Sequence, residues 1–362
     1  MRLAASSVLV LTLTVSACGG IGATQSAVPK PSPTAEPSPL ERALTGGLAN
    51  PIVRNGPEAF DVVKAGPRSV VKVADRDYRM WYEAIEGNGD TRVAYATSTN
   101  GTTWVKRGVV LGFSVAWECN EVSPTTVLFD PDANLWKMWY HGGGNDGRRF
   151  IGHATSPDGL VWTKYSANPI LSPGSPGGWD DDYIADAKVL RLSSTDYRLW
   201  YKGVHVATQV GQVGYATSSD GVAWVKHAGN PVFTPGPAGA WDDASLNGPA
   251  VLHDRGLFHM WYPGIGNEAA VSYAPGDGIG YASSVDGVSW IRCSSNPVLA
   301  PRSGIDARES EFGDTVDAYG DGQRYRIIYG EFNLSMQPVL RGMAEAYLRV
   351  PATAAVTSAP LR

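Results

Sequence analysis

The chain of 362 residues carries a formal net charge of −5, and only 18% of its residues are charged. That balance gives neither nucleic acid nor an anionic membrane surface an electrostatic reason to bind. Three cysteines and no cysteine or histidine cluster at ligand spacing argue against a transition-metal site and a disulfide-dense scaffold.

In chain order, Arg2 precedes an apolar run from Leu3 to Val15 that is too short to span a bilayer. The run ends in Val15-Ser16-Ala17-Cys18, which resembles a bacterial lipobox, where small residues precede a cysteine that becomes the lipidated first residue. The resemblance predicts a signal peptide over 1–17, lipid on Cys18 and display on the outer face of the cell membrane. An ordinary cleaved signal with an incidental cysteine is the alternative. Residues 18–48 are rich in Pro, Ser, Thr and Ala, a composition that makes an extended, solvated tether rather than a core. A folded unit is expected over 49–350, followed by a tail over 351–362.

Three signals then recur in fixed order. The first is an aromatic, an acid, and a valine ten residues after the aromatic: Phe60-Asp61…Val70, Trp117-Glu118…Val127, Trp179-Asp180…Val189 and Trp241-Asp242…Val251. The second is an apolar-Trp-Tyr run: Met80-Trp81-Tyr82, Met138-Trp139-Tyr140, Leu199-Trp200-Tyr201 and Met260-Trp261-Tyr262, with Ile327-Ile328-Tyr329 as a weaker fifth copy. The third is a strand, an Asn-Gly or Asp-Gly turn and a tryptophan, from Tyr95 to Trp104, His153 to Trp162, Tyr215 to Trp224 and Tyr281 to Trp290. Such turns tolerate positive φ and are strong hairpin signals. Each unit therefore reads as a four-stranded antiparallel meander, and an aromatic-rich sheet with two apolar faces must pack against its neighbours. The fifth unit, from about Asp306 to Leu348, lacks its last strand. Asn50-Pro51-Ile52-Val53 matches the fourth strands Asn168-Pro169-Ile170-Leu171, Asn230-Pro231-Val232-Phe233 and Asn296-Pro297-Val298-Leu299. The expected fold is all-β: a five-bladed β-propeller of four-stranded blades, its ring closed by the N-terminal strand.

The combination Trp-Asp…Pro-x-Val…Met-Trp-Tyr…Tyr-Ala-Thr-Ser-x-Asp-Gly-x-x-Trp…Asn-Pro-Val resembles the five-bladed propellers of the arabinanase, levansucrase and invertase superfamily, and more closely its repetitive glycosyl-hydrolase-like relatives. The resemblance covers nearly the whole chain after the tether. It implies a fold first, because the matching residues build blades. The Ser-x-Asp-Gly-x-x-Trp turn is also similar to the sialidase Asp-box. It lacks one residue between Asp and Gly, and five repeats without an arginine triad do not fit that family.

A residue common to all repeats is read as structural, and one that departs from the pattern as a candidate for function. Asp61, Glu118, Asp180 and Asp242 follow the opening aromatic in four repeats, so they read as turn or cap residues, although Trp117-Glu118-Cys119 resembles the invertase Trp-Glu-Cys motif. Asp158, Asp220 and Asp286 belong to hairpin turns. The departures begin four residues after the aromatic (Lys64, Glu121, Tyr183, Ser245) and seven after it (Pro67, Pro124, Asp186, Gly248). Glu121 and Asp186 thereby place carboxylates on the inner strands of repeats two and three. The fifth repeat offers Glu309, Glu311 and Asp314. Glu83, His141, Lys202 and Glu331 should rim the same face. The first repeat has Gly66-Pro67-Arg68 and no acid where the superfamily carries one. The apolar positions five and ten after the aromatic differ in parity, which requires a bulge or bend in each inner strand.

Glycoside hydrolysis needs a protonated and an ionised carboxyl facing each other across a pocket. The expected catalytic residues are Glu121 as acid and Asp186 or Asp314 as base or tuning carboxylate. Arg68, His141, Lys202, Asn247 and Glu311 are the expected substrate-binding residues. No cofactor and no metal ligand is predicted, a structural or pocket calcium ion being left open. The expected partner is carbohydrate, with membrane contact through the lipid anchor only, no nucleic acid, and a monomeric state. The competing reading is a non-catalytic glycan-binding lipoprotein that holds sugars by aromatic stacking. A protein-interaction propeller is a third.

Overall fold

The computed structural model describes residues 53–143, 147–266, 278–298, 312–319, 324–333 and 340–349. The predicted signal peptide, Cys18, the predicted tether and tail, Glu309, Glu311 and residues 267–277 lie outside the described residues.

Among the described residues all regular structure is β, apart from two 3-10 turns at Ala59–Asp61 and Ala116–Glu118. The first repeat forms β1 (Lys64–Ala74), β2 (Asp77–Ile85), β3 (Thr91–Ser98) and β4 (Val105–Leu111). The second forms β5 (Glu121–Asp130), β6 (Leu135–Gly143), β7 (Arg149–Ser156) and β8 (Thr163–Lys164). The third forms β9 (Tyr183–Ser193), β10 (Asp196–Val204), β11 (Gly211–Ser218) and β12 (Val225–Lys226). In the fourth the inner strand is split into β13 (Ser245–Leu246) and β14 (Ala250–Asp254), followed by β15 (Leu257–Ile265), β16 (Gly278–Ser284) and β17 (Ile291–Arg292). The last sheet holds β18 (Phe312–Tyr319), β19 (Arg324–Asn333) and β20 (Leu340–Arg349).

Within each repeat, neighbours in sequence pair antiparallel. One parallel pair, Thr91 with Glu121, joins the first sheet to the second. The inner strands contact one another in succession: β1 meets β5, β5 meets β9, β9 meets β14, β14 meets β18, and β18 returns to β1.

The apolar-Trp-Tyr run explains why the sheets stack. Successive side chains on a strand point to opposite faces. Trp81 accordingly enters a cluster with Val122, Val127, Met138 and Tyr140 of the second sheet, while Met80 and Tyr82 face the other way, into a cluster with Val53 and Ile328. Trp139 packs in the same way into the third sheet and Trp200 into the fourth. All three indoles are fully buried. Each also donates its Nε1 hydrogen to the glycine carbonyl of the next sheet's turn: Trp81 to Gly159 (2.8 Å), Trp139 to Gly221 (2.8 Å) and Trp200 to Gly287 (2.7 Å). A buried polar group left unpaired costs roughly 1–3 kcal/mol, so this bond fixes how each sheet meets the next.

The repeated acids are structural. Asp61, Glu118, Asp180 and Asp242 are buried, and each accepts a tyrosine hydroxyl, from Tyr82, Tyr140, Tyr201 and Tyr262 respectively. Each also pairs with an outer-strand cation: Lys106, Lys164, Lys226 and Arg292. In the hairpin turns Asp158, Asp220 and Asp286 each accept two backbone N–H groups. Val53, the described end of the predicted closing strand, is buried in the same cluster as Ile328 and the first sheet. Leu171 and Phe233, its counterparts, occupy the equivalent layers.

Candidate active site

Position four after each opening aromatic is the first residue of an inner strand: Lys64 opens β1, Glu121 β5, Tyr183 β9 and Ser245 β13. A few residues later the inner strands lose register with their neighbours. The shift lies between Pro67 and Ser69 in β1, between Pro124 and Thr126 in β5, and opposite Trp200 and Lys202 in β9. In the fourth sheet the strand breaks between Leu246 and Ala250. A bulge inserts an unpaired residue and turns its side chain away from the alternation. Arg68 is that residue in β1, and Asp186 lies in the β9 irregularity with a φ of 51°. The parity mismatch in the sequence is thus the device that aims these two side chains inward.

The result is a pocket of about 470 Å³ at the end of the sheets where the inner strands begin. Glu121, Asp186, Arg68, His141, Lys202 and Asn247 all line it, as do Lys64, Glu83, Arg149 and Tyr183. Asp314 is placed by its backbone on β18, opposite Ile328. Arg149 went unnamed as a site candidate, and Glu83, expected at the rim, was given no role. Arg149 begins β7, where the other sheets have Thr91, Gly211 and Gly278, so departure from the repeat would have found it. Glu83 stands two residues before the end of β2, as His141 does in β6, and both line the pocket.

Glycines make the room. A Cβ on Gly248 would lie 2.0 Å from the Cβ of Asp186, and one on Gly143 would lie 2.3 Å from Oε2 of Glu121.

The three carboxylates come from three successive sheets and are chained by basic groups. Glu83 is 4% exposed; it pairs with Lys64 at 2.7 Å and with Arg68, and accepts the Ser123 hydroxyl at 2.7 Å. Arg68 reaches onward to Oδ1 of Asp186 at 2.8 Å. His141 stands between the other two acids, its Nε2 3.3 Å from Oε1 of Glu121 and its Nδ1 3.7 Å from Oδ1 of Asp186. Arg149 donates its Nε hydrogen to Oε2 of Glu121 at 2.7 Å. Lys202 donates to Oδ1 of Asn247 at 2.7 Å.

Burial pushes all three carboxyls up, and the cations outweigh it. Arg68 and Lys64 hold Glu83 well below the usual carboxylate range. His141 and Arg149 hold Glu121 below it. Arg68, His141 and Lys202 do the same for Asp186, against the opposing charge of Glu83. All three are therefore anionic near neutral pH in the unliganded pocket. Among the described residues no group of three His, Cys, Asp or Glu side chains is arranged to hold a metal ion.

No protein-family model matches the chain. Two uncharacterized proteins of Mycobacterium tuberculosis, from strains CDC 1551 and H37Rv, are each 30% identical over 166 residues, covering 44% of this chain and 54% of the relative. The chain thus matches about half the length of these curated relatives. Solved structures are similar over most of the molecule. A thermostable family-43 glycoside hydrolase superposes with a TM-score of 0.59 at 20% identity, covering 82% of this chain and 95% of its own. A glycoside hydrolase of Parabacteroides distasonis described as putative gives 0.66 at 17% identity, with 89% and 99% covered. A member of the GH130 family, described as mannoside phosphorylases that include hydrolases of β-1,2-mannosidic linkages in Candida mannan, gives 0.66 at 17% identity, with 86% and 94% covered. The chain therefore has the fold of these structures.

Proposed function

We propose that the chain is an exported, five-bladed β-propeller glycoside hydrolase, anchored through Cys18 at the cell surface and acting on an oligo- or polysaccharide. The blade count rests on the closed succession of inner-strand contacts and on Val53 beside Ile328. The observation that carries the chemistry is the convergence of Glu83, Glu121 and Asp186 from three successive sheets on one open pocket. The family-43 and GH130 likenesses support the same reaction class.

Asp186, held ionised by Arg68 and His141, suits a base that activates water. Glu121 is the proton donor. Among the described residues its side chain bonds only to His141 and to Arg149, which is 36% exposed, so an entering sugar that draws Arg149 away would raise its proton affinity. The two carboxylates sit on opposite nitrogens of one imidazole ring. An inverting hydrolase sets its pair roughly 6.5–9.5 Å apart to admit a water, and we assign Glu121 and Asp186 to that arrangement. Glu83 positions Arg68 and does not face the scissile bond.

The test is turnover of an oligosaccharide panel by the intact protein and by Glu121→Gln and Asp186→Asn. Loss of at least a thousandfold in kcat with unchanged thermal unfolding supports the assignment. Full activity in Glu121→Gln removes that residue from the reaction. Binding of a glycan without any turnover by the unmodified protein favours the glycan-binding lipoprotein instead.

A further inference from the structure

One wall of the pocket is dominated by donors. Lys202 is half-buried, and among the described residues its one hydrogen-bond partner is the neutral carbonyl of Asn247, with no carboxylate within ion-pair distance. That bond uses the Asn247 oxygen and leaves its NH2 group to donate. Arg149 uses Nε on Glu121, and neither Nη group has a hydrogen-bond partner among the described residues. Tyr183 lies between these two cations, its ring centroid 5.2 Å from the Arg149 guanidinium carbon and 5.6 Å from Nζ of Lys202. Its hydroxyl likewise has no partner among the described residues.

Lys and Arg hydrogens can only donate, whereas sugar hydroxyls both donate and accept. A wall that mixes donors and acceptors would serve a neutral sugar. A wall dominated by cationic donors, with an ammonium that bonds no carboxylate among the described residues, is matched by a group that only accepts and carries negative charge. The nearby Asp186 charge acts on Lys202 without bonding it and is itself bonded by Arg68, so a ligand anion can still take a direct bond from the ammonium. We infer that the Lys202–Arg149–Tyr183–Asn247 wall is a subsite for an anionic substituent, so that the glycan this pocket takes is acidic, bearing a carboxylate or a sulfate. This deepens the glycosidase reading by naming the substrate class.

The experiment is calorimetric titration of the full chain carrying Asp186→Asn, which slows turnover, with trigalacturonate, sulfated galactotriose, neutral galactotriose and inorganic phosphate. At least one acidic trimer is expected to bind tenfold or more tightly than the neutral trimer, and to weaken as salt is raised. Comparison of the two acidic trimers identifies the anionic group. Adding Lys202→Gln should lower the acidic-to-neutral affinity ratio at least tenfold, with thermal unfolding reporting that the variant folds. Arg149→Gln serves as the second variant. Equal binding of neutral and acidic trimers, or a ratio that survives both substitutions, overturns the inference. Inorganic phosphate binding as tightly as the acidic trimers also overturns it, giving the wall to a free ion. Acidic binding without turnover in the unmodified protein would remove the hydrolase and leave the subsite; cleavage of neutral glycans with no acidic preference would do the reverse.

Discussion

His153 occupies the place that Tyr95, Tyr215 and Tyr281 hold in the other repeats, and its pH response can be worked through quantitatively. Its ring is 3% exposed, packs 5.3 Å from the Trp139 ring and 6.4 Å from that of Tyr165, and its Nε2 has no hydrogen-bond partner among the described residues. Burial, reinforced by Lys137 and only partly opposed by Asp220, pushes its pKa down from 6.5 to about 4. Between those two values the unfolded chain binds a proton that the native one refuses. Stability is therefore intact above about pH 7 and is lost as pH falls toward 4. At about 1.36 kcal/mol for each pH unit below the unfolded pKa, this residue alone should cost the native state ~2 kcal/mol at pH 5 relative to neutral pH. His153→Phe fills the same aromatic layer with nothing to titrate. Urea unfolding of both proteins at pH 7.5 and pH 5 is the assay. His259, also pushed down to about 4 mainly by burial, is present in both, so the difference between the proteins isolates His153. The original protein should lose ~2 kcal/mol more than the variant over that interval. Equal losses would refute the claim that His153 is buried neutral.

Further outcomes separate scaffold from chemistry. Glu118→Gln removes the counter-charge of Lys164 and should lower stability by up to about 3 kcal/mol while leaving kcat within a few-fold, the opposite pattern to Glu121→Gln three residues on; paired thermal and kinetic measurements distinguish them. Trp139→Phe leaves the Gly221 carbonyl without its donor and should cost ~1–3 kcal/mol, read by chemical denaturation. Gly248→Ala cannot place its Cβ without displacing Asp186, so ligand affinity should fall more than tenfold, measured by titration alongside Asp186→Asn.

The sheets were legible because their determinants are local and repeated. An Asp-Gly turn and an alternating Met-Trp-Tyr strand specify hairpin and buried faces without reference to anything distant. The structural role of Asp61, Glu118, Asp180 and Asp242 could be read from their recurrence, but their partners could not. The cations that neutralise them lie 45 to 50 residues later, on outer strands whose lysines look like ordinary surface charge. The pocket was legible as a list of departures from the repeat, and less so as an arrangement. Glu83 reads as a rim acid in sequence, yet folding buries it under Lys64 and Arg68, which makes it a positioning group. Arg149 escaped because the start of the third strand was not compared across repeats. The ionised state of Glu121 depends on Arg149 and on His141 standing between two acids, a relation among four strands that no spacing along the chain encodes.

The bulges connect these observations. A regular inner strand would send alternate side chains into the flanking layers and leave the axis lined by whatever the alternation dictated. Because β1, β5 and β9 lose register, and the fourth inner strand breaks between β13 and β14, within a few residues of their starts, the side chains before the irregularity are released from the packing that fixes those after it. Val70, Val127, Val189 and Val251, beyond it, are constrained to be apolar and buried. Lys64, Glu121, Tyr183 and Ser245, before it, share no chemistry at all. The same backbone device therefore lets near-copies of one sheet build a core that repeats and a pocket that does not. Substitutions before the bulge should alter ligand choice at little cost in stability, and those after it should cost stability with little effect on ligand choice.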